Sequence, residues 1–149
     1  MRKILVGLAA AAALLVLSVL RGQALAAEPG IARGDKVDVP GGYYTNVSPA
    51  VLQGMLARKD FLLINVHVPY EGEVAGTDLL IPFDEVERRR DLLPRNRSAK
   101  ILLYCRSGAM SDTAARALVR RGYRNVWHLA GEMNAWKQAG LSLIYKGRK

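Results

Sequence analysis

Apolar positions along the chain fall into short continuous runs separated by stretches with helical spacing. Phe61 to Val66 (FLLINV) is near-continuously apolar, as is Lys100 to Cys105 (KILLYC) after its lysine. This is the pattern of strands buried on both faces. Asn125 to Leu129 (NVWHL) and Tyr43 to Val47 predict two further strands, and Leu79 to Pro82 a short one at the sheet edge. Val51, Leu52, Met55 and Leu56 share one face of a helix. That helix is predicted to be capped by Ser48, to begin at Pro49 and to run to about Arg58. Asp84 to Leu93 predicts a second helix, with Asp84 as N-cap, Pro94 beyond its end and Glu87 to Arg90 as a solvated charged face. A third runs from Ser111 to about Arg121, with Ala114, Ala115, Leu118 and Val119 on its apolar side and Gly122 as its stop. Glu132 to Gln138 predicts a last short helix, ending at Gly140. Strands alternating with helices imply a single α/β domain over residues 43–145. Its central sheet of about five strands is mainly parallel and flanked by helices. Residues 27–42, rich in glycine, proline and charge, read as a loose N-terminal lead, and no internal repeat is present.

The first 26 residues differ from the rest. A charged Met-Arg-Lys start precedes an apolar run from Ile4 to Leu20, and Ala24-Leu25-Ala26 supplies a small-x-small site. That order is the signature of a secretory signal peptide, with cleavage expected after Ala26. The competing reading is a retained membrane anchor, but an alanine-rich run of about 17 residues is at the short limit of what spans a bilayer. The expected location is periplasmic or secreted, with no stable membrane span after cleavage.

Charge narrows the partners. The chain carries 22 basic and 13 acidic residues, a net +9. Arg2, Lys3 and Arg21 belong to the leader, so 19 basic residues and +6 remain without it. The basic residues are dispersed, with no aromatic-interleaved patch, which argues against nucleic acid as a partner. A basic surface attracts small anions instead.

Cys105 is the sole cysteine. In an exported protein an unpaired cysteine either links to another chain or is kept for its chemistry. Its placement favours chemistry. It ends an apolar strand and precedes a helix, the position at which parallel sheets bind ligands. The segment Cys105-Arg-Ser-Gly-Ala-Met-Ser111 is rich in small residues. Its successive N–H groups can form an anion-binding nest, reinforced by the positive end of the following helix. Arg106 and Arg116 add positive charge nearby. Such surroundings suit a sulfur anion, and the thiolate is the nucleophilic form of cysteine. The bland alternative, a buried structural cysteine, fits an isolated thiol but not this context. His67 reads as a loop histidine with a backbone partner, His128 as structural, and Trp127 and Trp136 as core residues.

These motifs resemble the rhodanese-like family of single-domain sulfurtransferases. The loop is similar to the family's Cys-Arg-Ser-Gly-x-Arg-Ser, between an apolar strand and a helix that ends in Gly-Tyr/Phe; here YCRSGAMS leads to RRGY. HLAGEMNAWKQAGL resembles the family's Gly-Gly-x-x-x-Trp-x-x-x-Gly tail, read with Ala130 in place of the first glycine. LINVHVPYEGEVAGT is a looser match to the upstream Asp-Val-Arg signature. The resemblance covers about residues 43 to 143. It implies that Cys105 takes a sulfane sulfur from a small sulfur-containing anion such as thiosulfate, or from a persulfide, and passes it to a thiol or cyanide acceptor. It also implies that Arg106, Ser107, Gly108, Ala109 and Met110 form the substrate cradle, that Ser111 starts the helix beneath it, and that no metal or organic cofactor is needed.

Departures from the pattern bear on substrate. Met110 stands where the family has its second loop arginine, and Asn65-Val66-His67 replaces Asp-Val-Arg. Met110 fits a less charged donor, a bulkier thiol or a persulfide, and weak thiosulfate turnover is expected. A Cys-x5-Arg phosphatase is disfavoured because Ser111, not arginine, stands six residues after Cys105, leaving a phosphate dianion without its bidentate partner. The second alternative is a catalytically silent module that binds a partner protein or serves a periplasmic redox or sulfur system.

Overall fold

The apolar runs assemble into one six-stranded sheet in the computed structural model, which describes residues 34–147. The expected signal segment and its cleavage site lie outside the described residues. In chain order the elements are β1 (Asp35–Val39), β2 (Gly42–Val47), α1 (Pro49–Leu56), β3 (Leu62–Asn65) and β4 (Leu79–Leu80). There follow β5 (Ile101–Tyr104), α2 (Ala109–Arg120), β6 (Val126–Leu129) and α3 (Glu132–Gln138). The strand order is β1-β2-β6-β5-β3-β4. Every pairing is parallel except β1 with β2. This is the α/β architecture that the alternating pattern predicts.

β5 shows how the sheet divides the core. It is buried along its whole length, between β3 and β6. Because side chains alternate across a strand, Ile101, Leu103 and Cys105 face one side and Leu102 and Tyr104 the other. The first set packs with Ala114, Ala115, Leu118 and Val119 of α2. The second packs with Leu52 of α1 and with Met133 and Trp136 of α3. The nucleophile candidate therefore emerges on the α2 face.

Local chemistry accounts for the helix ends. The Ser48 hydroxyl accepts the Val51 N–H, and Pro49 occupies the first turn of α1, where a missing N–H costs nothing. Helix α2 closes on Gly122, whose φ of +85° suits glycine.

Three expectations need correction. Residues 35–39, assigned to the loose lead, form β1 and add the sixth strand. With only Val37 and Val39 turned inward between Asp35, Lys36 and Asp38, the alternation is too short to stand out in the sequence. The helix expected over Asp84–Leu93 is a series of turns. Glu85 N–H bonds to Pro82 O, and Arg88 and Arg89 N–H both bond to Glu85 O, without a continuing ladder. Tertiary anchoring wins there over propensity. Val86 and Leu93 are buried, and Glu87 reaches across to Arg120 and Arg121. Finally, α2 begins at Ala109, two residues before Ser111.

Candidate active site

The main chain leaves β5 at Tyr104 and enters α2 at Ala109, with Gly108 as N-cap. Four residues make this reversal because Gly108 adopts φ +112°, which L side chains rarely take. The resulting curl brings Gly108 N–H to 3.1 Å from Cys105 Sγ. Ser111 Oγ lies 3.4 Å from the same sulfur. The first intrahelical bond of α2 is Asp112 N–H to Gly108 O, so the N–H groups of Ala109, Met110 and Ser111 are free of helical partners. The sulfur is thus set against a helix N-terminus with a directed backbone donor. Cys105 is 1 % exposed.

The side chains of the expected cradle divide. Ser107 and Ala109 are exposed, and the backbone donor to the sulfur comes from Gly108 between them. Arg106 turns away from the sulfur and pairs with Glu71, Nη1 to Oε1 at 3.0 Å. Met110 is half-buried and packs against the apolar cluster under α2. Arg116 binds Asp112, which also accepts the Tyr44 hydroxyl at 2.6 Å. Burial pushes the Asp112 carboxyl up, but the hydrogen bonds from Arg116 and Tyr44 outweigh it and hold it below its usual range. Burial, then Asp112, push the Tyr44 phenol up to about 12. None of these three arginine or methionine side chains delivers a charge to the sulfur. The positive field there comes from the backbone.

The residues that stand in place of the signature lie at the end of β3 and in the loop after it. Asn65 donates from Nδ2 to Gly72 O at 3.1 Å and accepts His67 N–H at 3.0 Å on Oδ1. A carboxylate could make only the second bond. His67 pairs through Nε2 with Glu71 Oε2 at 2.8 Å, a carboxylate partner where a backbone one was expected. Arg106, Glu71 and His67 therefore form one chain of contacts beside the loop. A cavity of about 390 Å³ adjoins it, with Arg106, Glu71 and Lys137 among its lining residues. A second, of about 330 Å³, lies between His67, Tyr70 and Leu80. Cys105 lines neither.

Two residues under the sulfur were not singled out in the sequence as functional. Glu132 is fully buried, and its Oε2 accepts Cys105 N–H at 2.6 Å. Its Oε1 accepts the Ser111 hydroxyl at 2.6 Å and lies 2.8 Å from His128 Nε2. His128 also faces Asn46 Oδ1 through Nδ1, at 2.7 Å. Glu132 is the one described residue other than glycine with positive φ, +61°. A side chain in that region costs about 1–3 kcal/mol. Counting back from Trp136, the paired glycines of the family tail fall on Gly131 and Glu132. The substituted glycine is therefore the second one, at 132, and not the first, at 130. The backbone keeps the glycine conformation while the side chain has become a carboxylate.

The Rhodanese-like domain family model matches residues 48–139. The chain belongs to the rhodanese-like family. A sulfurtransferase of Allochromatium vinosum is 31% identical over 100 residues, which span 65% of this chain and 91% of that protein. A tRNA uridine(34) hydroxylase of Erwinia tasmaniensis is 28% identical over 109 residues, spanning 66% of this chain but 31% of that protein. The human single-domain sulfurtransferase TSTD1 superposes with a TM-score of 0.56 at 22% identity, over 62% of this chain and 95% of that one. The last likeness is one of fold. The match groups this domain with sulfurtransferases.

Proposed function

We propose that this protein is an exported sulfurtransferase that carries sulfane sulfur as a Cys105 persulfide and draws on persulfide donors in preference to thiosulfate. The thiolate attacks the sulfane sulfur of the donor and forms a new S–S bond. The donor's own bond to that sulfur breaks, and its electron pair leaves with a thiolate, or with sulfite when thiosulfate is the donor. An acceptor thiolate then attacks the outer sulfur and returns Cys105 to its starting form.

The observation that carries this reading is the Gly108 N–H at 3.1 Å from the sulfur, beside a helix N-terminus whose first N–H groups are open. Such a cradle holds a persulfide anion by backbone dipoles alone. The donor preference rests on the missing side-chain cations, since Arg106 is held by Glu71 and Met110 is turned to the core. A thiosulfate dianion loses more from that absence than a singly charged persulfide does.

Incubation with glutathione persulfide is expected to raise the intact mass by one sulfur, and cyanide is expected to remove it. Thiosulfate should load the protein more slowly. Failure of every donor to add a sulfur, with Cys105 inert to alkylation in the folded protein, would overturn the reading and favour the silent module.

Export is supported by the charged, apolar and small-x-small order of residues 1–26. No helix among the described residues is long and apolar enough to cross a membrane. N-terminal sequencing of protein recovered from cells is expected to begin at Ala27; a start at Met1 would mean a retained leader.

A further inference from the structure

Nothing in the sulfur-transfer scheme calls for a carboxylate behind the nucleophile, yet this chain has installed one in a backbone conformation suited to glycine. We propose that Glu132 is a positioning residue that acts through Ser111 as the proton acceptor for Cys105. The inference deepens the sulfur-transfer reading and rests on it for its purpose.

The geometry supplies a continuous path. Ser111 Oγ is 3.4 Å from Sγ on one side and 2.6 Å from Glu132 Oε1 on the other. A hydroxyl has one proton to give and two lone pairs with which to accept. The Ser111 hydroxyl can donate to Gly108 O at 3.1 Å or to the sulfur, but the contact to Glu132 is the shortest and is to a carboxylate; with the proton there, the serine oxygen is able to accept the S–H. The sulfur and Ser111 are buried, so bulk water is not at hand to take that proton. In the transfer the S–H bond breaks and its proton moves to Ser111 Oγ. The Ser111 hydroxyl proton moves to Glu132 Oε1, and the sulfur keeps the electron pair as thiolate beside Gly108 N–H. His128 Nε2, 2.8 Å from the same carboxylate oxygen, holds Glu132 in this register. The other carboxylate oxygen binds Cys105 N–H, so one side chain fixes the cysteine backbone and receives its proton.

Charged and titratable groups surround the pair from several elements. His128 comes from β6, Tyr44 from β2, Asp112 with Arg116 from α2, and Arg106 follows Cys105 directly. Arg106 and Arg116 are each occupied by a carboxylate, and the Tyr44 hydroxyl donates to Asp112. His128 Nε2 also lies 3.0 Å from Ser111 Oγ, but it faces the Glu132 carboxylate more closely, at 2.8 Å, and donates to it, so Glu132 is the acceptor in line with Ser111.

The test is the rate at which iodoacetamide, a small neutral probe, alkylates Cys105 in the full chain across pH, read by intact mass. Glu132→Gln keeps the size and the bond to Cys105 N–H but cannot accept a proton. It is expected to slow alkylation near neutral pH by about a hundredfold, the low end of the contribution of a positioned acid–base group. The loss should disappear at alkaline pH, where hydroxide removes the proton. Ser111→Ala should give the same displaced profile, and Glu132→Asp a partial recovery. Glu132→Gly restores the residue suited to the backbone and guards against misfolding; it should fold and still show the displaced profile. A profile for Glu132→Gln that superposes on the parent, a loss equal at all pH values, or a gain in rate would each overturn the proposal. Because alkylation needs no sulfur donor, this result is separable from failure of the sulfur-transfer reading.

Discussion

Cys105→Ser is expected to abolish the gain of sulfur with every donor while leaving the fold intact. The hydroxyl oxygen is a poor nucleophile without strong activation, and no second cysteine exists in the chain to take over. The fold should survive because the replacement is nearly isosteric. A serine Oγ at this position can still accept the Gly108 N–H that lies 3.1 Å from the sulfur. The expected destabilisation is about 1 kcal/mol, typical for a buried change that leaves no group unpaired. Intact mass after incubation with glutathione persulfide, together with a thermal melt, separates the two effects. A serine variant that still gains a cyanide-labile sulfur would move the chemistry away from Cys105.

The largest stability effect is expected at Leu103. It is fully buried in the middle of β5, two residues before Cys105 and on the same face of the sheet. Leu103→Ala removes three carbons from a core position and leaves a cavity, at a cost of about 2–5 kcal/mol. Against a typical total of about 5–15 kcal/mol, that is a large share. With a urea dependence of about 1–3 kcal/mol per molar, the unfolding midpoint should fall by about 1–2 M. An unchanged midpoint would show that β5 is not the packed centre described above. The change should also loosen the α2 face that seats the loop.

The long apolar runs made β3, β5 and β6 legible, and the caps at Ser48, Gly122 and Gly140 placed α1, α2 and α3 to within a few residues. Each of those signals is local. β1 escaped notice because its partner β2 supplies the pairing that two inward valines cannot announce. The turns over 84–93 were read as a helix because propensity does not record where Val86 and Glu87 find their partners. The site follows the same division. Cys105 to Ser111 is contiguous, so its small residues and its place before a helix could be read directly. Glu132 and His128 reach the backbone and Ser111 beside the sulfur only because β6 lies beside β5 and α3 begins under the loop. A count back from Trp136 would have marked position 132, since a charged residue there replaces a glycine.

The two margins of the sheet bear on behaviour in concentrated solution. A bare strand edge is a template for a strand from another molecule, and proteins protect such margins with charge or brevity. β4 is two residues long, and β1 carries Asp35, Lys36 and Asp38 among its five. Neither margin offers a long apolar ladder for a second copy to extend. The fold is therefore guarded against edge-to-edge aggregation from both sides by features that take no part in its chemistry.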